Sequence, residues 1–194
     1  MTRRFVLGVV AAACIATVGL LVAVTSGAFG PRQQDASPRT FAEIRWEALI
    51  PTDWDPMKRF LASNHGVMDD SDANGQRLMR AIWDHAPTVD AMDGRDVRLS
   101  GYVVPLEEAE GGLKEFLLVP YFGACIHTPP PPANQIVEVR VARPVKGVES
   151  MDIVSVSGRL TVWRGESSMG TTGYRIDALR VEPDSTRQAA SALK

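Results

Sequence analysis

Three features of this sequence predict a mainly β fold with an N-terminal helical annex, preceded by a hydrophobic leader helix. From residue 96 onward apolar residues recur at every second position, with Val97, Leu99, Gly101 and Val103 on one side and Arg98, Ser100 and Tyr102 on the other. Residues 40–93 instead carry apolar stripes at helical spacing, punctuated by proline. A run without charge, residues 5–24, comes before both.

The leader opens with Met1-Thr2-Arg3-Arg4. As a helix, the run that follows is about 30 Å long, enough to span a bilayer. Arginines at its front edge hold the N-terminus in the cytoplasm and direct the remainder outward. Ser26-Gly27-Ala28 offers small residues for cleavage before Phe29, so residues 1–28 read as a signal peptide or a membrane anchor. Ala11-Ala12-Ala13-Cys14 adds a lipoprotein reading, although the residues after Cys14 stay mostly apolar. All three place the chain in the periplasm or on the outer face of the inner membrane, with the membrane as a partner through residues 5–24 if the leader is kept.

Residues 29–39 are polar and proline-punctuated, as in a linker. The globular domain is expected over residues 40–183, as an annex of 40–93 and a β-barrel of 94–183. Thr40 can cap a first helix with Phe41, Ile44, Ala48 and Leu49 on one face and Glu43 completing a capping box, ended by Pro51. Trp54-Asp55-Pro56 and the acidic stretch of residues 64–74 read as loop. A second helix is expected over 73–85, where Leu78, Ala81 and Ile82 form a stripe, Asp72 is a cap and Pro87 a stop.

Strands are expected from residue 96, then over 114–119, 136–142, 152–163 and 173–181. Gly101 and Gly158 interrupt well-patterned strands, which marks a bulge or the bend of a closed sheet. About five antiparallel strands with such bends predict a small barrel resembling an OB-fold, with a sandwich as the alternative. Residues 184–194 are expected to form a disordered tail.

Charge limits the partners. Setting aside Arg3 and Arg4 takes the basic residues from 21 to 19 against 23 acidic ones, with no cationic run, which argues against nucleic acid. Of the two cysteines, Cys14 lies in the leader. Cys125 therefore faces an oxidising compartment without a partner, and needs burial, a ligand or a reactive role.

The least generic segment is residues 121–135, where Tyr121 and Phe122 precede Cys125, Ile126 and His127, and four prolines, Pro129, Pro130, Pro131 and Pro132, lead to Asn134 and Gln135. The prolines enforce a polyproline path. If the residues before them are also extended, Cys125 and His127 project to one side, a thiolate and an imidazole suited to zinc or copper. Two ligands do not fill a tetrahedral site, and His65, His85, Glu107 and Glu108 are further candidates.

Three other readings stay open. Cys125 can simply pack, with His127 orienting the loop, or it can be a nucleophile with His127 as base, for which no oxyanion hole or orienting group is recognisable. The segment can also dock a partner through its proline ridge with Tyr121, Phe122, Asn134 and Gln135. His65 reads as solvated loop and His85 as a partner of helix-terminal carbonyls. Trp46, Trp54, Trp83 and Trp163 read as packing, and Met151 and Met169 are too distant in sequence for a copper-binding methionine motif.

Val103-Val104-Pro105-Leu106-Glu107 and the string from Gly123 through Cys125, His127 and the four prolines to Gln135 resemble a bacterial family of exported proteins of unknown function, over about residues 41–182. That resemblance implies a leader-bearing or lipidated periplasmic protein, in some members linked to metal-uptake transporters. The stiffened presentation of Cys125 and His127 motivates the expectation of a non-catalytic accessory domain holding zinc or copper through these two residues for a transporter or envelope assembly.

Overall fold

The computed structural model describes residues 39–63, 73–126 and 130–184. The leader, nearly all the linker, the 64–72 loop with His65, the Asp72 cap, His127, Pro129 and residues 185–194 of the tail lie outside the described residues. The chain divides into two units, Met1–Arg39 and Thr40–Lys194; the elements below belong to the second. No helix among the described residues is long and apolar enough to cross a membrane.

The first expected helix is replaced. A two-residue strand β1 (Ala42–Glu43) pairs in parallel with the start of β2 (Asp96–Ala109), Ala42 opposite Val97, and the Ile44 N–H donates to the Arg98 carbonyl at 2.9 Å. One 3-10 turn, Trp46–Leu49, follows and buries both end residues. Tertiary demand overrides the Thr40 capping signal here. The Trp46 indole N–H reaches the Ser100 carbonyl at 2.8 Å, which requires this segment to lie along β2.

Helix α1 (Pro56–Ser63) begins at the Pro56 read as loop and runs over residues 57–63, to which the sequence reading assigns no element. Asp55 accepts the Lys58 N–H at 3.0 Å as an N-cap, proline occupies the first helical position, and Phe60 drives into the interior. Helix α2 (Ala73–Asp84) matches its prediction within a residue, and His85 hydrogen-bonds the Ala81 carbonyl at 2.9 Å, as expected of a residue at a helix end.

Beyond the annex, β2, β3 (Gly112–Val119) and β4 (Val137–Val145) form an antiparallel meander. The β5–β6 hairpin (Ile153–Ser167, Gly170–Pro183) closes it, β5 antiparallel to β2 and β6 parallel to β4. The ring β2-β3-β4-β6-β5 is a closed five-stranded barrel of OB-like type. Val97, Leu99 and Val103 point inward, as the two-residue period demands, and meet Phe116, Leu118, Leu160, Tyr174 and Ile176 in one core.

Both mid-strand glycines mark close approaches. A Cβ on Gly101 would lie 2.7 Å from the Val119 carbonyl oxygen and 2.9 Å from the Trp46 ring, and one on Gly158 would lie 2.3 Å from the Asp177 carbonyl oxygen. The β5–β6 register slips beside Gly158, so that Leu179 is an extra residue on β6, as the predicted bulge requires.

Candidate functional site

The distinctive segment joins β3 to β4 and folds back over the outside of the barrel wall. Alternation along β3 sends Phe116 and Leu118 inward and leaves Leu117 and Val119 facing out. These outward residues join Val104, Ala124 and Ile136 in a second, smaller apolar cluster. Its lid is the 121–126 turn, held by the Ala124 N–H to the Tyr121 carbonyl at 3.4 Å and the Ile126 N–H to the Gly123 carbonyl at 3.2 Å.

This turn corrects the extended path expected before the prolines. Cys125 has a φ of 67° and lies in the left-handed region, so simple strand alternation does not set the direction of its side chain. The thiol is half-buried against the second cluster. Loss of water raises its pKa to about 11, with the Arg80 guanidinium acting in the opposite direction. A thiol held protonated at neutral pH is poorly placed to act as a nucleophile.

Two further sulfur-bearing side chains border the cluster. Met151 and Met169 pack against the same cluster as Cys125, and the Gly123 N–H donates to Met151 Sδ at 3.2 Å. Met151 is the other non-glycine residue with positive φ among those described, also at 67°. Sequence separation disguised this convergence. Met151 precedes β5 and Met169 sits in the β5–β6 turn, and only closure of the barrel brings both to the β3–β4 connection.

Other expected site residues separate into outward and inward groups. Tyr121, Phe122 and Ile126 are 44, 60 and 41% exposed, and Phe122 meets the Tyr102 ring edge-on at 5.9 Å. Pro131 is buried and Pro130 and Pro132 are partly buried, so the described prolines pack against the fold and do not stand out as a ridge. Asn134 is fully buried and donates to the Pro87 carbonyl at 2.9 Å, while Gln135 donates to the Trp46 carbonyl at 3.1 Å. These two amides fasten the annex to the barrel.

Beside the turn, a cleft of about 470 Å³ lies between Arg80 and Asp84 of α2, Pro130, and residues 166–171 of the hairpin, including Met169. Arg80 is bound to Asp84 through Nε at 2.9 Å, and Thr171 donates to Asp84 at 3.1 Å. Elsewhere on the wall, Trp163 is partly exposed and carries the Arg175 guanidinium 4.4 Å above its ring, in place of the packing role expected for it. Glu107 forms an exposed ion pair with Lys114 at 3.1 Å. Among the described residues no three histidine, cysteine, aspartate or glutamate side chains converge as a metal site.

The barrel with its helical annex and folded-over β3–β4 connection defines an OB-like domain of a particular kind. The chain belongs to the family described as "Protein of unknown function (DUF3299)", which matches residues 46–183. It is similar to a member of that family from Pseudomonas aeruginosa PAO1 whose crystal structure is known, at 36% identity, covering 75% of this chain and 97% of that one, with a TM-score of 0.59. A small single-stranded DNA-binding protein from Streptomyces coelicolor is also similar, at 18% identity over 48% of this chain and 97% of that one, with a TM-score of 0.33, too low to carry any argument. No curated protein matches the chain.

Proposed function

We propose that this chain is an exported accessory domain that holds a soft transition-metal ion, copper(I) ahead of zinc, at the turn over the second apolar cluster, serving a transporter or envelope assembly in the periplasm or on the outer face of the inner membrane. One observation carries the reading. The two left-handed non-glycine residues among those described, Cys125 and Met151, bring a thiol and a thioether to one apolar cluster that Met169 also joins. Left-handed backbone at non-glycine residues costs roughly 1 kcal/mol or more each and is concentrated where function demands it. Thioether and thiolate donors in a largely dry setting favour copper(I), whereas zinc prefers imidazole, thiolate and carboxylate. His127, two residues beyond Cys125, is the nitrogen donor the sequence offers.

Competition against a copper(I) chelator under anaerobic conditions, on the full chain in detergent, tests the proposal. The parent protein binds one equivalent. Cys125→Ser weakens binding beyond the roughly 10–100-fold that loss of an outer-shell partner costs. Equal binding by parent and variant, or none by either, ends the proposal.

A second reading rests on the exposure of Tyr121, Phe122 and Ile126 within one short turn: a non-catalytic interaction module docking a partner by this apolar tip. A photocrosslink from position 122 to one defined envelope protein that persists in Cys125→Ser, and is lost in Tyr121→Ser with Ile126→Ser, supports docking over metal.

A further inference from the structure

The barrel has an opening on the side where β4 and β6 run parallel. Their ladder ends at Val141 opposite Ala178, although β4 continues to Val145 and β6 to Pro183. The physical cause is the bulge, since the extra residue Leu179 turns β6 away from β4 while keeping it paired with β5. Between the diverging strands lies a groove of about 210 Å³ lined by Val141, Val145, Ala178 and Val181, with Arg143 and Arg180 among its walls. Ala178 belongs to the main core and Val141 and Val181 pack on it, so the groove opens onto hydrocarbon. Leu179 is 58% exposed beside it.

Size and charge select the occupant. The groove is below the roughly 300 Å³ at which small-molecule pockets begin, yet it accepts one or two side chains of an extended segment. Arg143 and Arg180 enter none of the ion pairs among the described residues, in a chain whose net charge is −2. Two unpaired guanidiniums at an apolar floor, between strand edges that do not pair with each other, suit a strand that alternates apolar and acidic residues. We infer that this seam docks an extended acidic segment of a partner protein by strand addition, the apolar side chains entering the groove and the carboxylates meeting Arg143 and Arg180. The seam lies on strands other than those of the sulfur cluster, and the inference stands whether or not that cluster holds metal.

The test uses the full chain in detergent and a fluorescein-labelled octapeptide of alternating glutamate and valine, with lysine–valine and proline-interrupted versions as controls. Anisotropy shows saturable binding of the glutamate–valine peptide alone, and hydrogen exchange slows at residues 141–145 and 178–183. Arg143→Glu with Arg180→Glu, both exposed positions, weakens binding about tenfold or more, with an unchanged melting curve as the control for folding. Absence of saturable binding overturns the inference and leaves the arginines as charges that keep strand edges apart. Protection elsewhere, or binding indifferent to the double variant or to proline, overturns it as well.

Discussion

The Tyr174 hydroxyl donates to the Leu49 carbonyl at 2.9 Å and receives the Val89 N–H at 2.6 Å, joining one barrel strand to both ends of the annex. The ring is wholly buried in the main core. Burial and the nearby Asp90 raise the phenol pKa, with the Val89 hydrogen bond opposing them. Tyr174→Phe keeps the packing and strands a carbonyl and an N–H, so it destabilises the protein by about 1–3 kcal/mol. Urea unfolding followed by tryptophan fluorescence checks this, and an unchanged midpoint contradicts it.

Gly158→Ala tests the bulge. The new methyl would meet a backbone oxygen at 2.3 Å, which no side-chain rotation relieves, so β5 and β6 must separate. A loss of about 3 kcal/mol or more is expected. Retention of the parent melting temperature would show that the hairpin tolerates a wider spacing.

Cys125 gives stability a specific pH dependence. Its folded-state pKa of about 11 stands above the ordinary thiol value of 9.0, so between these values the unfolded chain loses a proton that the folded chain keeps. Stability from this group is fully present below pH 9 and declines as pH rises towards 11. Cys125→Ala removes that part of the decline and leaves the contribution of Tyr174. Parallel denaturation curves at pH 8, 9, 10 and 11 give the difference directly, and identical slopes for parent and variant would disprove the raised thiol.

If the proposed site holds copper(I), the same proton governs its affinity. A thiol protonated throughout the neutral range must release one proton on binding copper(I), so apparent affinity rises about tenfold per pH unit from 7.5 to 9.5, without the levelling near 9 of an ordinary thiol. Arg80→Met removes the cation that favours the thiolate and lowers affinity at fixed pH. Chelator competition at several pH values measures both effects, and a flat profile excludes Cys125 as a ligand.

Met151→Leu and Met169→Leu separate packing from ligation. Leucine replaces each side chain at similar volume and costs less than about 1.5 kcal/mol. If the sulfurs only fill space, copper(I) affinity is unchanged. Weaker binding in either variant, with an intact melting curve, assigns its thioether to the metal.

The amino-acid sequence by itself determined the fold class, since inward and outward residues alternate along β2 and the close approach at Gly101 and the bulge beside Gly158 need only local pattern to be seen. It also marked α2 through a helical stripe and singled out the Cys125 segment by composition. Asp55 followed by Pro56 carried a helix-start signal for α1 that the loop reading passed over. Tertiary structure alone decided the rest. Residues 40–49 gave up a capped helix because β2 needed a neighbour and the core needed Trp46. Asn134 and Gln135 turned inward because annex carbonyls required donors. Met151 and Met169 came to the apolar cluster on which Cys125 packs because barrel closure sets spatial neighbours by strand order, and strand order is not written in the spacing of residues along the chain.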